Sequence, residues 1–206
     1  MARHTKQEAQ QTRDRILDAA EHEFQRHGVS RTSLQNIARA AGVSRGAIYW
    51  HFEDKADLFD AMLKRVTLPL EQAINRSGDP QLPDPVAHVC RSFTEALRRT
   101  VEDPQARRVF EIATQKVEYV DELQAVRLRR LQGRKQRIAQ VERGFASAMH
   151  QGDLARGVPA RAAAIGLHAL IDGLIQNWML DPDSFDLMRV GRQAIDTYLK
   201  GLGRVQ

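Results

Sequence analysis

Between Ser44 and Lys55 the sequence reads Ser-Arg-Gly-Ala-Ile-Tyr-Trp-His-Phe-Glu-Asp-Lys, which places hydrogen-bond donors and cations around two small residues. Arg45 carries a planar fork of N–H donors that matches a guanine edge or a phosphate. Gly46 and Ala47 would let a helix approach bases closely, and the Ala47 methyl can touch a thymine methyl. Tyr49, His51 and Lys55 offer donors to phosphate oxygens. Lys55 also stands at a helix start, where free N–H groups favour an anion. The helical phase of Tyr49 and Trp50 puts at least one of these rings outside the fold, toward solvent or DNA, whereas Phe52 reads as core. The chemistry is that of nucleic-acid recognition, in which most contacts position the protein and a few specify sequence.

Positioning such a helix requires a partner at a fixed angle, and the residues from Leu34 to Phe52 read as a helix-turn-helix. Gly42 can end the first helix at positive φ without a Cβ clash. Ser44 can accept a hydrogen bond from the free N–H groups of the next helix. Val43 and Ile48 can fill the wedge against Ile37 and Ala38. The run Thr32-Ser33-Leu34-Gln35 reads as a capping box, with Gln35 reaching back to the cap. Before it, Ile16, Leu17, Ala20 and Phe24 share one face of a helix over 8–27, which Gly28 can terminate. After it, Asp54 caps a fourth helix that carries Leu58, Phe59, Met62 and Val66 inward and contains Pro69.

Long helical segments follow, over about 85–102, 105–116, 123–151, 160–180 and 184–202, with no sustained alternation that would mark a strand. The reading is an all-α chain of about nine helices. Its three-helix DNA-binding domain spans 1–54, and a helical ligand-binding and dimerisation domain spans 55–206, in which the first helix, 55–76, connects the two. The proline-rich stretch after Arg76 is the composition break closest to that division. Ala162, Gly166, Ala169 and Gly173 form a small-residue stripe suited to close helix packing.

Composition excludes several classes. The net charge is +5, and residues 1–52 hold eight Lys/Arg against five Asp/Glu, so the excess of +3 there is the densest in the chain. An anionic partner fits. No apolar run approaches the roughly 18 residues of a membrane span. The polar N-terminus lacks a signal-peptide core, so the cytoplasm is the expected compartment. Cys90 is the one cysteine, which reads as a small hydrophobe on a helix. No metal or cofactor motif and no nucleophile elbow or phosphate loop is present, and the seven histidines are scattered, which argues against an enzyme. A nucleoid-type DNA binder would need no large second domain.

The segment GVSRGAIYWHFEDKADLF closely resembles the TetR family of bacterial repressors, and within it the AcrR-type repressors of multidrug efflux pumps. MARHTKQEAQQTRDRILDAA, FEIATQKVEYVDEL and ALIDGLIQNWMLDPDSFDL extend the resemblance over most of the chain. It implies that Thr32, Ser33, Arg45, Gly46, Tyr49, His51 and Lys55 contact double-stranded DNA at a palindromic operator. It also implies that the last two long helices pair with their copies in a homodimer. A small hydrophobic or aromatic inducer would then bind among Thr67, Leu70, Phe93, Leu97, Phe110 and Thr114, and among Val117, Glu118, Ile138, Val141, His168, Ile171, Asp172 and Ile175. Asp172 lies in the apolar stretch LHALIDGLI, where a carboxylate is costly unless paired or solvated. It can bind a cation or a ligand hydroxyl, or serve as a satisfied structural group. The basic run from Arg127 to Arg137 reads as a solvated helix face. The resemblance implies ligand-relieved repression of an efflux operon. A metabolic or signalling operon with a different inducer is the alternative.

Overall fold

The computed structural model describes residues 6–77, 83–118 and 123–203, with side chains from 69 to 77 outside the description. Among the described residues the fold is all-α, with nine helices and no strand. They are α1 (Lys6–His27), α2 (Leu34–Ala41), α3 (Arg45–His51), α4 (Lys55–Ser77), α5 (Pro85–Glu102), α6 (Pro104–Gln115), α7 (Gln124–Gln151), α8 (Ala160–Leu180) and α9 (Leu187–Gly201). They gather into two compact units, one comprising the chain up to Val66 with Arg108–Arg130, the other Thr67–Arg107 with the chain from Leu131 onward.

The first unit is larger than the 1–54 domain read from the sequence, and its packing shows why. Leu58, Phe59 and Met62 of α4 are fully buried along with Ile16, Leu17, Ala20 and Phe24 of α1. The rings of Phe24 and Phe59 meet edge-on with centroids 5.9 Å apart. The segment from Arg108 contributes the buried side chains of Val109, Ile112, Leu123 and Val126.

Polar ties hold the same pieces together. The Val29 N–H donates to the Lys116 carbonyl at 3.0 Å. The Gln25 amide donates to Glu111 at 2.9 Å, and Arg130 donates to the Ala113 carbonyl. Asp60, almost fully buried, accepts from Arg129 at 2.9 Å and pairs with Lys64 at 2.9 Å. Two arginines of the basic run are therefore structural ties, while Arg127, Arg134 and Lys135 face solvent.

Arg65 bonds Asp18 at 2.8 Å and also Glu21, which is buried, joining α4 to α1. Burial alone would lower its pKa, but the hydrogen bonds and charges of Glu21 and Asp18 outweigh that and hold the guanidinium above its ordinary value. Removing one partner of such a buried pair typically costs about 3–5 kcal/mol.

The second unit is built on α5, α8 and α9 with the later part of α7. Its core runs from Val86, Val89, Phe93 and Leu97 through Val141 and Phe145 to Leu167, Ile171, Ile195 and Leu199. Asp84 caps α5 by accepting the Ala87 N–H at 2.7 Å, with Pro85 inside the start. The last helix begins later than the expected residue 184. The Ser184 hydroxyl is held on the Asp181 carbonyl at 2.6 Å, and Asp186 supplies the cap to Arg189 at 2.9 Å.

The small-residue stripe on α8 divides. Gly166 is filled by Tyr198 of α9 in the same chain, whose hydroxyl donates to the Ala163 carbonyl at 2.9 Å. Ala162 and Ala169 are exposed, and nothing approaches Gly173.

Gly191 shows how tightly α5 and α9 meet. A Cβ there would overlap Leu97, which is fully buried and cannot swing into solvent. Gly191→Ala should therefore lower stability by about 1–3 kcal/mol, the usual range for overpacking a core, read as a lower urea midpoint with unchanged helical circular dichroism. An unchanged midpoint would mean that Leu97 has room to move.

Candidate nucleic-acid interface

The helix-turn-helix is set by three local devices. The N-cap of α2 is Ser33, one residue later than the Thr32 reading, and its box partner is Asn36 instead of Gln35. Ser33 Oγ accepts the Asn36 N–H at 3.2 Å, and Asn36 Oδ1 accepts the Ser33 N–H at 3.2 Å. Thr32 cannot cap because its side chain is buried with its hydroxyl between the Gly28 and Glu23 carbonyls, at 2.8 and 3.3 Å. Gly42 ends α2 at φ +64°, donating to the Ala38 and Arg39 carbonyls, a conformation that strains residues with a Cβ. Ser44 then starts α3 by accepting the Ala47 N–H at 3.1 Å. Ile37, Ala38 and Ile48 are excluded from water where the two helices meet, and Phe52 is buried at the C-cap.

With Ile48 inward, α3 presents its other side. Arg45 and Gly46 are exposed, Tyr49 is 48% exposed and Trp50 is 72% exposed. A Cβ at Gly46 would meet only Ser44 Oγ at 3.8 Å, so internal packing does not demand glycine there. Arg45 donates to the Tyr49 hydroxyl at 2.9 Å, with its guanidinium 5.4 Å from the ring centroid. The pair holds the guanidinium along the surface of α3. Trp50 and His51 meet edge-on at 4.5 Å. Burial, and then the nearby charge of Arg13, hold the half-buried His51 below its ordinary value of 6.5, which favours the neutral imidazole. Arg13 lies over the Phe52 ring at 5.1 Å.

Beside this face a cleft of about 420 Å³ is bounded by the turn before α2, the first turn of α2, Arg45 and Tyr49 of α3, and Asp54 and Lys55 at the start of α4. Exposed Arg31 and Gln35 line it. The sequence reading had missed Arg31 and Arg13 and had given Gln35 only a capping role. Arg31 and Gln35 come beside Arg45 only through the folded turn, whereas Arg13 of α1 meets the Phe52 ring. Lys55 differs from its expected role. It is only 6% exposed, and its ammonium donates to the carbonyls of Thr32 at 3.2 Å and Ser30 at 3.4 Å.

The positions expected to line a ligand pocket separate. Phe93, Leu97, Val141, His168 and Ile171 share one buried cluster of the second unit, with Ile138 and Ile175 packed against it. The His168 ring stands edge-on to Phe93 at 6.5 Å. Its Nδ1 lies 3.0 Å from the Asp172 carboxylate, but off the direction needed for a hydrogen bond. Asp172 itself is 49% exposed, so the carboxylate is relieved by solvent. Thr67 is half-buried in that unit, and the Leu70 side chain lies outside the described residues. Phe110, Thr114, Val117 and Glu118 belong to the first unit, where Thr114 and Glu118 are exposed and the Thr114 hydroxyl donates to the Phe110 carbonyl at 2.7 Å. A cavity of about 530 Å³ along α5 is lined by residues the sequence had not suggested for ligand contact, including half-buried Cys90 with Arg91, Thr94 and Arg98. Among the described residues no cluster could hold a metal ion, and no helix is long and apolar enough to cross a membrane.

Two family models match the chain. Residues 16–62 match the bacterial regulatory proteins of the tetR family, and residues 84–203 match the C-terminal region of MAATS-type transcriptional repressors. The transcriptional regulator AcrR of Shigella flexneri is 38% identical over 97% of this chain and 93% of its own. The crystal structure of NalD, the secondary repressor of the MexAB-OprM multidrug efflux pump in Pseudomonas aeruginosa, is 39% identical with a TM-score of 0.85, covering 94% of this chain and 96% of its own. SmeT in complex with triclosan is 33% identical with a TM-score of 0.85, covering 93% of this chain and 91% of its own. SmeT is the repressor of a Stenotrophomonas maltophilia multidrug efflux pump.

Trp50 is exposed whereas Trp178, the second tryptophan of the sequence, is buried, and this contrast makes α3 directly observable. Iodide should quench Trp50 alone, double-stranded DNA should shield it, and Trp50→Phe should abolish the quenchable fraction. Quenching that DNA leaves unchanged would remove Trp50 from the interface. Arg45→Ala should weaken binding by about 1–3 kcal/mol and relax the preference at one base position, the signature of a bidentate base contact, as read by competition with single-base operator variants.

Proposed function

The chain belongs to the tetR family of bacterial regulatory proteins, and from that premise we propose that it represses a multidrug efflux operon and leaves its operator when a small hydrophobic or aromatic compound binds. It is a DNA-binding transcriptional regulator and not an enzyme. The observation that carries the reading is α3, whose outward face is small at Gly46 and armed at Arg45, Tyr49 and Trp50 while Ile48 is fully buried. Control of an efflux pump rests on the relatives named for that role, AcrR being the subfamily that the sequence resembles.

The operator-bound form is a homodimer, because one α3 reads one half-site and a two-fold operator needs two of them one helical turn apart, about 34–36 Å. The open side of α8, with Ala162, Ile165, Ala169 and Leu180 exposed, supports a pairing surface formed with α9. The inducer binds in the second unit around Phe93, His168 and Ile171, where an apolar lining with one imidazole suits flat phenolic or cationic compounds. Such a compound is bound by the relative SmeT, whose complex contains triclosan. Helix α4, which contains Pro69 and carries the chain from one unit into the other, changes the spacing of the two recognition helices when the ligand binds. The protein acts in the cytoplasm, where its operator is.

Reciprocity makes this testable, since a ligand that weakens operator binding must itself bind more weakly to the operator complex by the same factor. In fluorescence anisotropy with the DNA upstream of the chain's own gene, tight competitor-resistant binding should be released by triclosan or another flat aromatic drug. The ligand affinity should fall by the matching factor when that DNA is present. Tight binding that no drug relieves would sink the efflux reading, and equal ligand affinity with and without DNA would sink the spacing mechanism.

A further inference from the structure

The geometry points to Lys55 as a positioning residue that shapes the turn before α2 from within, and not as a phosphate ligand. This inference rests on the DNA-binding reading above. A phosphate contact needs an accessible ammonium, and Lys55 is almost entirely buried at the floor of the cleft. Its ammonium donates to two backbone carbonyls, those of Ser30 and Thr32, which flank the exposed Arg31. Turning these carbonyls toward the lysine fixes the path of the chain just ahead of Ser33. There the Asn36 N–H is taken by the Ser33 cap, and the N–H groups of Leu34 and Gln35 have no carbonyl partner one turn back within the helix.

The same turn is braced from three further directions. The Thr32 hydroxyl is bonded back to the Gly28 carbonyl at 2.8 Å. The Thr32 N–H closes on the Val29 carbonyl at 3.4 Å, and the Val29 N–H is held by the Lys116 carbonyl at 3.0 Å. Every polar group named here points into the turn. Thr32 and Lys55 therefore act on DNA through the outward neutral groups they hold in place, namely the Ser33 cap and the first turn of α2.

The two roles differ in salt dependence. Losing a cation that neutralises a phosphate lowers the slope of log K against log[salt] by about 0.9 per contact. Losing the shape of the turn removes hydrogen bonds from neutral groups, which release no counterion. Lys55→Met removes both charge and donors, whereas Lys55→Gln removes the charge but keeps an amide that can donate to the carbonyls.

The experiment is operator binding of the full chain to the fragment upstream of its own gene across roughly 50–200 mM salt. Lys55→Met should weaken binding by about tenfold, the scale of a lost buried hydrogen-bond system, with the wild-type slope retained. Lys55→Gln should recover part of the affinity. A slope reduced by about 0.9 per protomer in both variants, with glutamine no better than methionine, overturns the assignment.

Should the variants not fold, acylation of the wild-type protein decides. Lys55 should resist a lysine-directed reagent in the absence of DNA. Ready labelling that only DNA suppresses would overturn the proposal. Wild-type protein that binds no operator at all defeats the regulatory reading instead, and the labelling result still judges the place of Lys55 in the turn.

Discussion

The orientation of α3 depends on the burial of Ile48 where α2 and α3 meet, together with the left-handed turn at Gly42 that makes this burial possible. An α3 of seven residues has too few hydrogen bonds to persist alone, since isolated helices this short are unstable in water. It exists because Ile48 and Phe52 anchor one side to the first unit and Ser44 satisfies its start. The outward side is then free of structural duty. Internal packing makes no demand for glycine at 46, and Trp50, which meets the His51 ring edge-on, is otherwise largely in solvent.

Charge in the first unit is sorted by a second constraint. Buried ionic groups must be paired or hydrogen-bonded, and each of those described is. Arg65 is held by Asp18 and Glu21, Asp60 by Arg129 and Lys64, and Lys55 by carbonyls. Lys55 and Arg65 are thus engaged inside the unit, while Arg31 and Arg45 are left exposed beside the cleft. Arg45 is additionally pre-set against Tyr49, which lessens the side-chain ordering that binding would otherwise require.

Much of this was legible in the sequence because it rests on local rules. Gly28 and Gly42 stand at positive φ at helix ends, and Ser44 caps the helix it precedes. The 3.6-residue apolar spacing located every long helix. Reading failed where two local solutions compete and a distant group decides between them. Thr32 and Ser33 are both good caps, and the Gly28 carbonyl settles the matter by capturing the Thr32 hydroxyl. Lys55 looks like any exposed helix-start lysine until the chain 23 residues earlier turns its carbonyls toward it. The membership of Arg108–Arg130 in the first unit has no local signature, since it depends on pairings such as Val29 with Lys116 and Gln25 with Glu111.

The ligand site proposed for the second unit poses a harder physical question, how a packed core would receive a ligand. Phe93, Leu97, Val141 and Ile171 fill one another's space, and such interiors leave few voids larger than a water molecule. A ligand entering among them must displace contacts each worth little alone, through rotamer changes that the backbone tolerates only where packing partners can yield. His168 is a polar exception in this core. It is buried against Phe93 yet unsatisfied at Nδ1, its acidic neighbour being close but misaligned and half in solvent. A buried polar atom without a hydrogen bond carries a standing penalty, and a ligand that supplies the missing partner recovers it while burying its own apolar surface. Recognition built this way constrains one polar contact and leaves the apolar remainder tolerant of shape, which is the condition for one site to accept chemically varied compounds.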